Sequence, residues 1–140
     1  MTVIDASLAV KWYLAEPLSE QAVDLLLAES PRITVPDTFC VEVASTLVRE
    51  ANINKTRLAD ARNSLTRFKV LCEGGGVRAV RTTSAALDTA ANLAIDIGHP
   101  LKDCIYLVLA MELGCDLVTC DTRFAAKAKG VWDRVRVLGA

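Results

Sequence analysis

The sequence contains a single histidine and no Cys-x-x-Cys pair, and its five cysteines are an odd number. That combination offers neither the ligand spacing of a zinc site nor the pairing of a disulfide framework. Cys40, Cys72, Cys104, Cys115 and Cys120 therefore read as small core residues in a reducing, cytoplasmic setting. Long apolar runs are also missing. The longest, Cys104 to Met111, is eight residues, against the roughly 18 that a membrane span requires. The opening MTVIDAS places an acid at Asp5 and lacks a basic-then-apolar pattern, so neither export nor membrane insertion is expected. No internal repeat, low-complexity tract or linker divides the chain. Gly74-Gly75-Gly76 has no Gly-Lys-Ser/Thr with it and reads as a turn, not a phosphate-binding loop.

What remains is the composition of a globule: 140 residues, 52% hydrophobic and 24% charged. That is too apolar for disorder and long enough for one domain that buries about two-thirds of its unfolded surface. The net charge of −1 conceals strong patterning. Residues 1–48 carry seven acids and two bases, and residues 49–81 carry eight bases and three acids. Residues 82–121 carry six acids and one base, and residues 122–140 carry five bases and one acid. Such blocks fit either solvated helix faces or an acidic site flanked by basic surfaces that hold a polyanion. A pI near 5.8 argues against a dedicated nucleic-acid binder, but not against an enzyme that visits nucleic acid transiently.

Patterning predicts strands at Thr2–Ile4, Arg32–Val35, Val77–Val80, Asp116–Cys120 and Val135–Leu138. Between them it predicts helices over Ser7–Leu14, Leu18–Ala28, from Asp37-Thr38 to about Asn52, Lys55–Leu71, Thr83–Ile97, Leu101–Leu113 and Asp121–Lys129. Asp37-Thr38 offers N-cap chemistry. Strands alternating with helices point to an α/β domain with a central parallel β-sheet flanked by α-helices.

Two of these strands run into aspartate: Val3-Ile4 into Asp5, and Leu117-Val118-Thr119-Cys120 into Asp121. In an open parallel sheet, ligands bind beyond the carboxyl ends of the strands, so both acids fall at that edge. Asp103 lies in the first turn of a helix whose next eight residues are apolar, where a carboxylate suits the helix dipole. Glu42 belongs to a polar stripe, Glu42, Ser45, Thr46 and Arg49, on an otherwise apolar helix. That stripe either meets water or lines a cleft. Read one at a time, each acid has an ordinary explanation as a cap, a turn residue or a solvated side chain.

Taken together, the four acids resemble a known pattern. VIDASLAVKWYLAEP, PDTFCVEVASTL, HPLKDCIYLVLA and LVTCDTRF are similar, in order, to the four motifs of a PIN domain. Within that class they resemble the VapC-type toxins of bacterial and archaeal toxin–antitoxin pairs. The resemblance spans essentially the whole chain, 1–140. It implies a metal-dependent endoribonuclease whose acidic residues are Asp5, Glu42, Asp103 and Asp121, with Thr119 and Phe124 in their expected places. It also implies a homodimer and a small VapB-type antitoxin that covers the site, with a transfer or ribosomal RNA as substrate. Two positions depart from the common pattern: Ser45, where relatives often carry Asn, and Cys104, where they often carry Ala. Neither removes a carboxylate.

The chemistry can be argued from the residues. Four carboxylates about 6 Å apart form six pairs, each repelling by roughly 3 kcal/mol at an effective dielectric near 20. A divalent cation or protonation must relieve that. An all-oxygen set favours Mg²⁺ or Mn²⁺ over zinc. Asp5 and Asp103 are the candidate ligands, with Glu42 and Asp121 acting through water or a second ion. Ser7 and Thr119 are candidate hydrogen-bond donors to these carboxylates. Arg49, Lys55 and Arg57, with Arg62, Arg67 and Lys69, are candidate RNA-backbone contacts. Cys104 and Cys120 are expected to point away from the acids beside them. His99, between Gly98 and Pro100, reads as a loop residue, and Lys11-Trp12-Tyr13 as a packing segment. Two other classes compete. One is a non-catalytic RNA- or protein-binding PIN-like domain. The other is a phosphotransfer domain, which would need further acids where Ser7 stands or beside Asp5.

Overall fold

A central strand explains the opening of the chain. In the computed structural model, which describes residues 1–140, Thr2–Ile4 forms β1, and all three residues are buried. A strand covered on both faces has no polar side to present, which is why this segment reads as a β-branched run and not as an alternation. β1 pairs in parallel with β2 (Ile33–Pro36) on one side and β4 (Asp116–Thr119) on the other. β3 (Val77–Val80) and β5 (Val135–Val137) complete a five-stranded parallel sheet in the order β3-β2-β1-β4-β5. The chain leaves β1 toward β2 and leaves β4 toward β5, so the winding reverses between these two neighbours. The crevice at their carboxyl ends is where such folds bind ligands.

Seven helices connect the strands: α1 (Ala6–Ala9), α2 (Ser19–Glu29), α3 (Phe39–Ile53), α4 (Leu58–Glu73), α5 (Ser84–Ile97), α6 (Leu101–Leu113) and α7 (Thr122–Ala128). α3 buries Phe39, Val43, Leu47 and Ala51 at four-residue spacing, which turns its polar stripe to the opposite side. α6 buries Cys104 and every residue from Tyr106 to Ala110, so Asp103 sits in the first turn of a helix whose middle is enclosed by protein. Gly98 and Gly114, with φ of 65° and 64°, end α5 and α6 in the left-handed conformation that a side chain would oppose. No helix is long and apolar enough to cross a membrane.

Local expectations differ from the structure in three places. The helix expected over Ser7–Leu14 is a single α-turn followed by a 3₁₀ turn at Val10–Trp12. A second 3₁₀ turn, Lys55–Arg57, precedes α4. The expected cap of α3 is not made. Thr38 has helical angles, φ −72° and ψ −19°, and makes no side-chain cap bond, because capping needs an extended residue there. Asp37 instead accepts a hydrogen bond from the Thr82 hydroxyl at 2.8 Å.

Candidate active site

Asp5 follows the last residue of β1 and caps α1. One of its oxygens, Oδ1, accepts from the Leu8 amide at 3.2 Å and from the Ser7 hydroxyl at 2.7 Å. The other, Oδ2, accepts from the fully buried Thr119 hydroxyl. Thr119 in turn accepts from the Asp121 amide at 3.0 Å. The ends of β1 and β4 are thus tied by one hydroxyl, and Asp121 is set relative to Asp5. Asp121 caps α7 by accepting from the Phe124 amide at 2.9 Å. Ser7 and Thr119 thus both donate to the Asp5 carboxylate.

The four acids converge. Asp5, Glu42, Asp103 and Asp121 line one cavity of about 510 Å³, with Ser7, Ser45, Thr46 and Cys120. The polar stripe of α3 lines this cleft, with Glu42 and Thr46 partly buried and Ser45 and Arg49 still exposed. Three cations, Lys11, Arg49 and Lys102, also line the cavity, and Lys11 pairs with Glu16 at 3.1 Å. Lys11, Glu16 and Lys102 carry no signal of this role in the sequence. Lys11 and Glu16 come from the 3₁₀ turn and the loop after it, a placement that only the fold provides.

The electrostatics are those of a site short of positive charge. Asp5 is 3% exposed, and burial pushes its carboxyl up to about 6 despite the donors that favour its ionised form, with Asp103 adding repulsion. Burial also raises Glu42, opposed by the Lys102 charge. Glu42 Oε1 is buried without a hydrogen-bond partner, as are the Thr38 and Tyr106 hydroxyls beside it. The Thr38 and Tyr106 hydroxyls lie close enough to Glu42 to favour its ionised form, though neither is aligned well enough to count as a hydrogen bond to it. A buried carboxylate oxygen without a protein donor is able to take a cation as its partner. The donor set is oxygen-rich and suits a hard divalent ion. The carboxylates of Asp103 and Asp121 and the His99 ring nitrogen lie within 4.8 Å of one another.

Other candidates are dispersed. Arg49 lines the acidic cavity, but Lys55 and Arg57 do not. They sit exposed on the 3₁₀ turn beyond α3. Arg57 borders a separate depression with Asp60 and Arg67, and Arg67 stacks over the Tyr13 ring at 5.6 Å. Arg62 and Lys69 are exposed on α4. Trp12 packs as expected, buried with its indole N–H donating to Ala22 O at 2.9 Å. Two readings need correction. Cys120 lines the cavity and does not point away from it, because β4 ends at Thr119 and the chain bends at Cys120, which ends strand alternation. Cys104 is buried outside the cavity, as its helical offset requires. His99 does lie between α5 and α6, but it is not a free loop side chain. Its Nε2 meets Asp103 Oδ2 at 2.7 Å.

Comparison with known proteins bears on the family and the fold. The family model described as "PIN domain" matches residues 2–130. Ribonuclease VapC3 of Pyrobaculum aerophilum is 30% identical over 125 residues, covering 89% of this chain and 92% of its own. Among solved structures, PAE2754 from Pyrobaculum aerophilum superposes with a TM-score of 0.72 at 20% identity, over 98% of this chain and 88% of that one. Mycobacterium tuberculosis VapC20, named as a sarcin-ricin loop cleaving toxin, superposes at 0.68 and 15% identity, over 90% and 94%. A toxin–antitoxin complex from Klebsiella pneumoniae superposes at 0.64 and 16% identity, over 97% and 96%. With a parallel sheet whose two central strands deliver acids to one cleft, and a family match over nearly its full length, the chain belongs to the PIN-domain family.

Proposed function

We propose that the protein is a metal-dependent endoribonuclease and the toxin of a VapBC-type toxin–antitoxin pair. The observation that carries this reading is the convergence of Asp5, Glu42, Asp103 and Asp121 on one cavity, where burial disfavours the unneutralised charge of Asp5 and Glu42. The names of the relatives support ribonuclease and toxin roles. Mg²⁺ or Mn²⁺ would be held by Asp5 and Asp103, with Glu42 and Asp121 acting through water or a second ion. Bound there, the cation supplies charge neutralisation at the scissile phosphate and activation of water for in-line attack. The chain's own residues do the rest. Ser7, Thr119 and the Leu8 amide fix both oxygens of Asp5 before substrate arrives. Lys11, Arg49 and Lys102 offer cations to the backbone phosphates that border the cleft. Glu42, half-buried at the cavity, would orient the attacking water. The substrate class, a transfer or ribosomal RNA, and the homodimeric assembly belong to the same proposal. So does an antitoxin that inserts a basic side chain among the acids.

The test is expression in a bacterial host, with and without the product of the adjacent gene. Induction of the chain alone should arrest growth and produce discrete RNA fragments, and co-expression should restore growth by forming a complex that copurifies. Asp103→Asn should be harmless. Growth arrest by Asp103→Asn equal to that of the native chain, or free growth with abundant folded native protein, would refute the reading.

A further inference from the structure

The sole histidine is held more firmly than a loop position requires. Its backbone N–H donates to Ala94 O at 3.0 Å, and Lys127 Nζ donates to the preceding carbonyl, Gly98 O, at 2.6 Å. Its side chain is 8% exposed. The ring stacks on Phe124 with centroids 4.7 Å apart and planes 25° from parallel. Nε2 lies 2.7 Å from Asp103 Oδ2. Phe124 in turn is the residue whose amide is bound by Asp121 Oδ1. A continuous set of contacts therefore runs from Asp103 through the imidazole and the Phe124 ring to the cap formed by Asp121.

From this we infer that His99 is a positioning residue: it donates through Nε2–H to Asp103 and fixes the rotamer that turns Oδ1 toward the cation, while Phe124 holds the imidazole in place. The inference rests on the proposed metal-dependent reading of the same site. An aspartate at the start of a helix has two free torsions, and Asp103 has no other hydrogen-bonded partner to choose between its oxygens. Engaging Oδ2 leaves Oδ1 for the cavity. Stacking on Phe124 makes that choice depend on α7, so the third and fourth acids are set as a unit. Such outer partners of ligating groups are worth about 10–100-fold in metal affinity or activity.

Because the chain has one histidine, its ring nitrogens give a single set of NMR signals. In ¹⁵N-labelled protein the Nε2–H tautomer is expected both before and after Mg²⁺ addition, with a saturable shift that is absent in Asp103→Asn. Mn²⁺ titration followed by electron paramagnetic resonance gives the affinity. His99→Phe, which keeps an aromatic ring against Phe124 but loses the donor, should bind Mn²⁺ about 10–100-fold more weakly. His99→Gln, whose amide can still donate, should recover most of that loss. With RNA, His99→Phe should lose kcat while KM stays near the native value. Should His99→Phe fail to fold, Phe124→Leu leaves both partners in place and should weaken Mn²⁺ binding in the same direction. Native Mn²⁺ affinity in folded His99→Phe would overturn the inference, as would loss of the Nε2 hydrogen on Mg²⁺ addition, which would make His99 a ligand. If Asp103→Asn loses Mn²⁺ while His99→Phe does not, the inference alone fails. If the native chain binds Mn²⁺ no better than Asp103→Asn, the metal-dependent reading itself fails.

Discussion

Asp5→Asn should abolish a pH-dependent loss of stability that the native chain suffers when no metal is present. The substitution keeps the shape of the side chain and removes its charge. Burial raises the Asp5 carboxyl from 3.8 to about 6, so the folded state binds this proton more tightly than the unfolded chain. The stabilisation is full below pH 3.8 and is lost as pH rises through about 6. At 1.36 kcal/mol for each pKa unit, the loss totals about 3 kcal/mol, most of it between about pH 4 and pH 7. Asparagine has no proton to lose. Any cost of rearranging hydrogen bonds around it displaces the whole stability curve without changing its slope. Urea unfolding in EDTA across pH 4–8 should therefore give a native-minus-variant difference that falls by about 3 kcal/mol and then levels. Repeating the series with Mn²⁺ should restore the native chain above pH 6 and leave the variant unchanged. A difference curve flat from pH 4 to pH 8 would refute the claim that Asp5 is an acid held short of a cation.

Other consequences can be measured separately. Thr119→Val removes the donor to Asp5 and the acceptor for the Asp121 amide in a fully buried place; it should cost about 2–4 kcal/mol in urea unfolding at pH 7, and a loss under 1 kcal/mol would contradict the bridging role. Glu42→Gln should lower RNA cleavage by about 100-fold or more, while stability in EDTA stays the same or rises, since burial disfavours the Glu42 charge. Arg49→Ala should raise KM for RNA several-fold, and Arg57→Ala should leave it nearly unchanged, because only Arg49 lines the acidic cavity. Equal effects would move the RNA path onto the α4 side of the molecule.

The parts of this site that sequence makes legible are those written in local order. Asp5 and Asp121 each follow a short β-branched or apolar strand, and a parallel sheet brings such strand ends to one edge. Asp103 is marked by the apolar helix behind it, and Glu42 by the polar stripe on α3. Pairing is not local. Its place at a strand end makes Thr119 a candidate donor to a site carboxylate, but which carboxylate it reaches, Asp5, 114 residues away, is set only by the pairing of β1 with β4. The 3₁₀ turn that brings Lys11 to the cleft has no propensity signature, since a single α-turn and a longer helix begin with the same residues. His99 shows the same limit. Its loop position is plain from Gly98 and Pro100, but its partner Asp103 and its stack on Phe124 depend on how α5, α6 and α7 pack. Cys120 shows the converse: strand alternation predicts a side chain turned away from the acids, but β4 ends one residue before it.

The most direct test of the central claim is cleavage of total cellular RNA by the purified chain, free of antitoxin, with Mg²⁺ or Mn²⁺, beside an EDTA control and Asp103→Ala. The account predicts discrete fragments with metal and none in EDTA or with the variant. Cleavage that persists in EDTA or in Asp103→Ala, or no cleavage by folded native protein with metal, would contradict it.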